Sequence, residues 1–254
     1  MRVLVTGATG TLGRRLVGVL ARRGHDVVAA TSRAEAEGTV ATIRYMTVDL
    51  KTGVGLEAAL SGVEAVVHCG SDFHQPAEVD LAGLQRMDDI ADPLVHFLFP
   101  GIVGCDLIPT PYYKAKTACE NYLTASGRPW TILRATQFHQ LIWAWYSATS
   151  RNPFLFVPAE TRYQVLDPLQ MAAQLAEAAE AGPGGRLADL GGPFAYEAAD
   201  LARSVLTAIA SPRRVVAYNR PGIVGAALRA GANLTPNRGG GETWNEFLAR
   251  RMAT

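Results

Sequence analysis

The chain has 254 residues, of which 48% are hydrophobic and 19% are charged, and its formal net charge is +1. This length and composition fit one large α/β domain, or a core domain with a small lobe, that folds without disulfides or metal. The near-neutral charge argues against a broad basic face, so nucleic acid is not an expected partner.

The three cysteines form no CxxC pair and their number is odd, which argues against a disulfide framework and favours a reducing compartment. The apolar run at the amino terminus is too short for a signal peptide. The most apolar stretch, residues 95–105, is interrupted by Pro100 and two glycines and is shorter than the ~18 residues that a membrane span requires. We therefore expect a cytoplasmic protein with no membrane partner.

Short apolar runs alternate with amphipathic segments over the first two-thirds of the chain, which is typical of a parallel sheet with helical crossovers. Several of these runs are apolar throughout, as strands buried on both faces should be. Glycine follows each of the two clearest helices and ends it. The predicted fold is an α/β Rossmann-type doubly wound parallel sheet, with strands at 2–6, 26–31, 43–47, 65–68, 94–99 and 131–134 and helices at 11–23 and 111–126.

The pattern changes after Arg134. An aromatic segment leads into Arg151-Asn152-Pro153, and short elements punctuated by glycine and proline follow. We predict an NAD(P)-binding Rossmann domain over residues 1–150 and a smaller substrate-side lobe packed on it over residues 151–254. The lobe is expected to return a strand to the sheet and to end in a helix at 242–251.

A glycine-rich segment with the spacing GxxGxxG joins the first strand to the first helix. Its first glycine permits a sharp turn, its second lets the backbone approach a pyrophosphate, and its third lets the helix pack closely on the strand. The amides and the dipole at the helix start bind the anion. The segment predicts dinucleotide binding, with a purely structural glycine turn as the alternative. The candidate contacts are Gly7, Thr9, Gly10, Thr11, Leu12 and Gly13.

The end of the second strand bears on the choice of cofactor. Folds that prefer NAD usually carry Asp or Glu here, whereas this chain has Ser32 and Arg33. A hydroxyl and a guanidinium suit a 2′-phosphate, so we predict that NADP(H) is preferred. The alternative interpretation is that the Arg33 side chain simply points into water. Glu35 and Glu37 come too late to be the expected acid, but they leave NAD(H) possible.

The next two strand ends supply further candidate cofactor contacts. Asp49, followed by Leu50, is a candidate acceptor for the adenine amino group, or else a helix cap or turn residue. Cys69-Gly70-Ser71 follows the fourth strand, at the sheet edge where open α/β sheets bind ligands. We predict that this segment covers the cofactor. The histidines and acids around it match no zinc-ligand spacing, so no metal site is predicted.

Tyr112 and Lys116 are predicted on the helix after the fifth strand, four residues apart and therefore on one side. A nearby ammonium lowers the pKa of a phenol and makes it a usable proton donor or acceptor. Lys116 is also suited to binding the nicotinamide ribose hydroxyls. A Tyr and a Lys four residues apart often occur by chance. Here the pair follows a glycine loop and lies after the fifth strand, and this position supports a catalytic role.

Together these motifs resemble the short-chain dehydrogenase/reductases, most closely their atypical NmrA-like NAD(P)H-binding branch. The resemblance covers nearly the whole chain. It implies that Tyr112 is the catalytic acid–base residue, that Lys116 is its partner and that Glu120 is a structural member of the same helix. The segments that carry it are the glycine loop, residues 102–106, residues 111–120, Pro129-Trp130-Thr131-Ile132-Leu133-Arg134-Ala135-Thr136-Gln137-Phe138-His139, and Thr243-Trp244-Asn245-Glu246-Phe247-Leu248.

One position departs from the family pattern. The family's catalytic Ser or Thr sits at the end of the fifth strand, where this chain has Phe99-Pro100-Gly101-Ile102. Glycine has no hydroxyl to hold a substrate carbonyl, and Thr110 is too near Tyr112 in sequence to reach the same place. The crossover between His68 and Leu94 is also short, which predicts that a helix is trimmed there.

Residues after the sixth strand are candidates for a substrate pocket. Arg134, Gln137 and Phe138 follow that strand near the expected nicotinamide position, and Trp143 lies just beyond. We predict that these four line the pocket, with core packing of the aromatic residues as the alternative. His139 is expected to be a structural histidine.

The leading functional prediction is an NADP(H)-dependent oxidoreductase acting on a small organic substrate, with Tyr112 handling the proton. The main alternative is a non-catalytic NAD(P)-binding protein of NmrA type that passes the redox state of the nucleotide to a protein partner; Gly101 supports it. A nucleotide-sugar epimerase or dehydratase ranks third, because no basic cluster is placed for a second diphosphate. A monomer and a homodimer are both compatible with the sequence.

Overall fold

The computed structural model describes residues 1–33 and 38–253, and for residues 38–40 it describes the backbone only. Glu35 and Glu37 therefore lie outside the described residues. The chain forms two compact units, and neither is a continuous segment, so the predicted boundary after residue 150 falls inside one of them. The first unit comprises Met1–Gly101, Pro111–Arg134 and Met171–Ala188, and the second comprises Ile102–Thr110, Ala135–Gln170 and Asp189–Thr254.

An eight-stranded sheet forms the centre of the first unit. Its strands are β1 (Arg2–Thr6), β2 (Asp26–Thr31), β3 (Gly38–Val40), β4 (Ile43–Thr47), β5 (Ala65–His68), β6 (His96–Ile102), β7 (Trp130–Ala135) and β10 (Gly185–Arg186). Their order is β10-β7-β6-β5-β1-β2-β4-β3, and the strands run parallel except β3, which is antiparallel to β4. The direction of winding reverses at β1, which makes its carboxyl end the switch point where such sheets bind ligands. The predicted Rossmann fold is confirmed.

The helices of this unit pack their apolar residues on the sheet. On α1, Leu16 and Leu20 are fully buried, and Gly24, which follows the helix with a φ of 85°, turns the chain towards β2. Val66 and Phe97 of the sheet belong to a buried apolar cluster that also contains Leu84 and Leu123. These helices are α1 (Gly13–Arg22), α2 (Leu56–Leu60), α3 (Ala82–Ile90), α4 (Pro111–Ala125) and α6 (Pro168–Ala181), which begins in the second unit.

The predicted strands agree closely with the observed ones. The first four match residue for residue, whereas β6 begins two residues later than predicted and extends to Ile102. Leu94 is 83% exposed while Phe97 and Phe99 are fully buried, so the sheet starts after the exposed leucine. Gly101 therefore lies within β6. The strand expected from the carboxyl-terminal part of the chain is β10, which pairs with β7.

The crossover from β5 to β6 contains a full helix, so the prediction of a trimmed helix is wrong. A π-helical turn, Ala77–Leu81, leads directly into α3. Such turns are rare and frequently occur at functional sites. This one carries Asp80, whose side chain is completely buried.

The second unit holds two small sheets with helices around them. Its aromatic core includes Trp244 and Phe247, and the ring of His139 stacks on Phe247 at 5.1 Å, which fits the structural role expected for this histidine. A capping box at Thr243 sets the start of the last helix two residues after its predicted position. No helix in the described part of the chain is long and apolar enough to cross a membrane. The elements are α5 (His139–Ser147), β8 (Phe154–Pro158), β9 (Arg162–Gln164), β11 (Ala195–Glu197), α7 (Ala198–Ala208), β12 (Arg214–Tyr218), α8 (Gly222–Arg229) and α9 (Trp244–Met252), with β8 parallel to β12 and β9 antiparallel to β11.

Two buried histidines of the first unit make stability depend on pH. Burial lowers the pKa of His68 and that of His96 to about 4. The unfolded chain binds protons near a pKa of ~6.5, so it takes them up first as the pH falls. We expect the free energy of unfolding to fall as pH drops from about 6.5 to about 4, by up to ~1.4 kcal/mol per pH unit for each histidine.

Urea unfolding followed at a series of pH values measures this effect. His96→Gln should remove about half of the slope, because His68 then remains as the only one of the two histidines to titrate. The replacement amide can still bond to Thr131 Oγ1, the partner of His96 Nε2 at 2.8 Å. A profile that stays flat over this pH range would contradict the assignment.

Candidate dinucleotide-binding site

A cavity of about 490 Å³ lies at the carboxyl ends of β1, β2, β4 and β5. It occupies the switch point of the sheet, where the fold is expected to bind its ligand. Most of the predicted cofactor residues line it, namely Gly7, Thr9, Gly10, Ser32, Arg33, Asp49, Leu50, Cys69, Gly70 and Ser71. The structure thus brings together four segments that are far apart in sequence.

The other predicted cofactor residues lie elsewhere. Thr11, Leu12 and Gly13 form the turn into α1 and its first residue, and Lys116 lies on α4; none of the four lines the cavity. Their contacts with a cofactor stay predictions. The sequence reading missed several lining residues, although all but one lie at the same strand ends and the carboxyl-edge rule points to them: Thr6, Ala30, Thr31, Val48, Lys51, Asp72 and Val79.

The glycine loop has the shape that a bound pyrophosphate requires. Gly7 has a φ of 60°, and a Cβ there would lie 2.7 Å from the carbonyl oxygen of Cys69. A Cβ on Gly13 would lie 2.2 Å from the carbonyl oxygen of Gly7, so only glycine permits this packing of α1 on β1. At Gly10 the single close atom would be the Gly7 oxygen, at 3.1 Å. The loop therefore fits a dinucleotide phosphate beside the start of α1.

His68 forms hydrogen bonds with two other segments at the base of the cavity. Thr6 Oγ1 accepts a hydrogen bond from the Gly70 amide at 3.0 Å and contacts His68 Nδ1 at 2.8 Å. His68 Nε2 lies 2.9 Å from the carbonyl oxygen of Asp80, which can only accept, so Nε2 donates. Because burial keeps the imidazole neutral, Nδ1 accepts from Thr6. The histidine connects β1, β5 and the π-helical turn, which is a structural role.

The ends of β2 and β4 present hydroxyls and charges to the cavity. Thr31 Oγ1 lies 3.0 Å from Thr9 Oγ1 and accepts a 3.3 Å hydrogen bond from the backbone amide of Arg33. Asp49 accepts a 2.8 Å hydrogen bond from the backbone amide of Lys51, which holds the pKa of that carboxyl below its usual value. Asp49 therefore acts as a charged turn residue. It also lines the cavity, so its role towards adenine stays a prediction.

Tyr112 belongs to a chain of polar contacts that begins at the cavity. Its hydroxyl lies 3.0 Å from Ser71 Oγ, and Ser71 in turn donates a 2.8 Å hydrogen bond to Asp80 Oδ2. The same carboxylate oxygen forms a 3.0 Å ion pair with Lys116 Nζ. The Lys116 ammonium is 5.5 Å from the centre of the Tyr112 ring. The structure thus places the predicted Tyr–Lys pair in one network with two residues of the β5–β6 crossover.

Both side chains of the ion pair between Lys116 and Asp80 are buried, with exposures of 5% and 0%. Burial alone would lower the pKa of Lys116, but the neighbouring Tyr112 and Asp80 raise it above its usual range. The ammonium is therefore retained and held by Asp80. Its predicted contact with ribose hydroxyls stays a prediction.

The space beside Gly101 is taken by another ion pair. A Cβ on Gly101 would lie 2.3 Å from Glu120 Oε1 and 2.9 Å from Arg134 Cγ. Arg134 Nε donates to Glu120 Oε1 at 2.8 Å and the two side chains are largely buried. A serine or threonine side chain would not fit at this position without displacing them. Arg134, predicted to line a substrate pocket, is engaged in this pair.

The other predicted substrate residues belong to the second unit. Gln137 is buried, and Phe138 is half-buried just before α5. Trp143 packs against the core of the second unit, 6.4 Å from Phe247 between ring centres, and the guanidinium of Arg251 lies 4.5 Å from its ring. The packing of Trp143 agrees with the alternative of a core role. A substrate role for these residues stays a prediction.

Comparison with known proteins agrees with this architecture. Residues 3–90 match the NAD-dependent epimerase/dehydratase family model. A short-chain dehydrogenase/reductase superfamily protein from Agrobacterium tumefaciens, solved with bound NAD, has a similar fold, with a TM-score of 0.71 at 18% identity over 100% of this chain and 96% of that one. This likeness is one of fold, and it extends over the whole chain. A nucleoside-diphosphate-sugar epimerase from Staphylococcus aureus is also similar in fold, with a TM-score of 0.76 at 16% identity over 98% and 99% of the two chains.

Two curated relatives match part of the sequence. An uncharacterised protein of Mycobacterium tuberculosis is 35% identical over 69 residues, or 27% of this chain and 8% of that protein. Photosystem II assembly factor Ycf39 of Cyanophora paradoxa is 30% identical over 149 residues, or 55% of this chain and 46% of that protein. The matched region thus spans less than half the length of either relative.

Proposed function

We propose that the protein is an oxidoreductase that uses a nicotinamide dinucleotide to act on a small organic substrate, with Tyr112 as proton donor and acceptor. The observation that carries this proposal is the 3.0 Å contact between the Tyr112 hydroxyl and Ser71, a residue that lines the dinucleotide cavity. This contact supports a role for the Tyr112 oxygen next to the residues that we propose bind the cofactor. The NAD in the similar Agrobacterium tumefaciens structure supports the choice of ligand class.

The residues of the network have separable roles in the proposed reaction. A bound nicotinamide dinucleotide supplies or accepts the hydride. Tyr112 holds a proton at Oη and exchanges it with the substrate oxygen. Lys116, whose ammonium is 5.5 Å from the centre of the Tyr112 ring, provides a positive charge beside the phenol. Asp80 holds Lys116 in place.

We also propose that NADP(H) is preferred over NAD(H). Ser32 and Arg33 are exposed at the cavity, directly after β2, where the 2′-position of the adenosine ribose is expected. Lys51 adds a second cation to the lining. Two positive charges and a hydroxyl favour a phosphate over a neutral hydroxyl.

Arg33→Ala tests this preference. We expect the dissociation constant for NADPH to rise about ten- to a hundredfold, because a hydrogen bond to a charged group contributes ~1.5–3 kcal/mol, while that for NADH changes little. Calorimetric titration with each nucleotide gives both constants. Arg22→Ala is the matched control, because Arg22 is an exposed arginine of the same unit outside the cavity lining. An equal loss for both nucleotides would remove Arg33 from the selection.

The enzymatic proposal itself is tested by NADPH consumption in the presence of aromatic aldehydes and of quinones such as menadione. Consumption above the background rate supports an oxidoreductase. If NADPH binds in the calorimeter and no member of the panel is reduced, the proposal gives way to the second candidate.

The second candidate is a non-catalytic NAD(P)-binding regulator of the NmrA type, which reports the bound nucleotide to a protein partner. The Glu120–Arg134 pair favours it, because that pair fills the place where the family carries its catalytic hydroxyl. The similarity to an assembly factor also supports it. A nucleotide-sugar epimerase or dehydratase is a weaker candidate, supported by similarity of fold. The cytoplasmic location and the monomeric or homodimeric state stay predictions.

A further inference from the structure

We propose that Ser71 supplies the hydroxyl that Gly101 lacks and acts as a positioning residue that directs one hydrogen bond to Asp80 or to Tyr112. This inference rests on the proposed oxidoreductase function. Ser71 approaches the Tyr112 oxygen from the end of β5, whereas the family's serine or threonine would approach from the end of β6. The substitution would explain how the chain retains Tyr112 and Lys116 although the usual hydroxyl is missing.

The direction of each hydrogen bond in the network follows from its acceptors. The Asp80 carboxylate can only accept, so the single hydroxyl hydrogen of Ser71 points to Asp80 Oδ2 at 2.8 Å. Ser71 Oγ is then left to accept from the Tyr112 hydroxyl at 3.0 Å. With a neutral phenol, the order of donation is therefore Tyr112 to Ser71 to Asp80.

Loss of the Tyr112 proton reverses one of these bonds. In carbonyl reduction, the carbonyl carbon gains a hydride from the reduced dinucleotide and the carbonyl oxygen gains the Tyr112 proton, which leaves a phenolate and an alcohol. The phenolate oxygen no longer donates. The Ser71 hydroxyl then turns from Asp80 Oδ2 to the Tyr112 oxygen and stabilises the negative charge there. No proton leaves Ser71, and the reverse reaction returns the hydroxyl to Asp80.

Asp80 keeps other partners when it loses the hydrogen bond from Ser71. Its Oδ2 keeps the ion pair with Lys116 at 3.0 Å, and its Oδ1 accepts from the Asp72 amide at 3.1 Å. A fully buried carboxylate without such partners would cost several kcal/mol. The π-helical turn places this carboxylate where it reaches both Ser71 and Lys116. When Tyr112 is a phenolate, the Ser71 hydroxyl has two negatively charged acceptors within hydrogen-bond distance.

Two readouts test the inference with Ser71→Ala and Ser71→Thr. The first is the fluorine resonance of fluorotyrosine introduced at position 112 in the protein without nucleotide. Ser71→Ala should shift this resonance because the hydrogen-bond partner is lost, and Ser71→Thr should leave it near the wild-type position. The second is the turnover of menadione with NADPH. Ser71→Ala should lower kcat about a hundredfold, and Ser71→Thr should recover most of it.

The outcomes separate this inference from the function on which it rests. If wild-type protein turns over and Ser71→Ala turns over equally well, Ser71 has no positioning role. A fluorine resonance that is the same in all three proteins would show that the contact does not form, and would also overturn the inference. If the wild type consumes no NADPH, the proposed function and the catalytic role of Ser71 fail together, while the fluorine shift still reports whether the contact exists.

Discussion

Tyr112→Phe should lower kcat by about 10²–10⁴-fold while the dissociation constant for NADPH stays unchanged. The hydroxyl is the only atom group removed, and general acid–base catalysis by a positioned side chain contributes a factor of this size. The ring contacts that hold the side chain, at 5.1 Å to Phe73 and 6.2 Å to Tyr113, remain in the variant. The measurement is NADPH oxidation with menadione, alongside calorimetric titration of the nucleotide.

Tyr113→Phe provides the matched control for this variant. It removes a phenol hydroxyl from the neighbouring residue on the same helix, and its ring also packs on Tyr112. We expect its kcat to equal that of the wild type. Turnover retained in Tyr112→Phe would remove Tyr112 from the mechanism, and an equal loss in both variants would indicate a general disturbance of α4.

The parts of the molecule that could be predicted from sequence are those set by local physics. Strands β1, β2, β4 and β5 are short apolar runs, and the glycine loop is defined by backbone conformations that only glycine permits. The predicted start of β6 is two residues too early because Leu94 is apolar yet exposed. An apolar residue in an apolar run gives no local sign that it faces water.

The parts that could not be predicted depend on contacts between distant segments. The sequence places Tyr112 and Lys116 on one helix, but the partners Ser71 and Asp80 come from the preceding crossover. Asp80 reaches Lys116 from a π-helical turn at the start of the helix, and the residues of this turn carry no pattern that distinguishes it from an α-helix. The turn contains two acidic residues, Glu78 and Asp80, and the sequence does not indicate which of them is buried.

Gly101 shows the same limit at a single position. The sequence indicates that a hydroxyl is missing there, and this is correct. It does not indicate that Glu120 and Arg134 fill the space, which only the packing of α4 and β7 on β6 determines. A simple Gly101→Ser reversion therefore does not restore the family arrangement, because the new side chain meets Glu120 first.

Lys116→Met should destabilise the first unit by about 3–5 kcal/mol, because it leaves the fully buried Asp80 carboxylate without its cation. Methionine keeps much of the volume of the lysine side chain, and its thioether can pack on the Phe99 ring, whose centre lies 5.1 Å from Lys116 Nζ. Urea unfolding gives the free energy. For comparison, Arg203→Met breaks the exposed pair with Asp200, in which both side chains are about 60% exposed, and should cost less than ~1 kcal/mol.

A double variant decides whether the loss comes from the buried charge. Asp80→Asn in the Lys116→Met background removes that charge but keeps an oxygen and an amide that can bond to Ser71 and to the Asp72 amide. If the cost is electrostatic, the double variant should be more stable than Lys116→Met alone. If it is as unstable or less stable, the lysine contributes through packing. In that case the ion pair with Asp80 does not hold Lys116 in place, as the proposed mechanism requires.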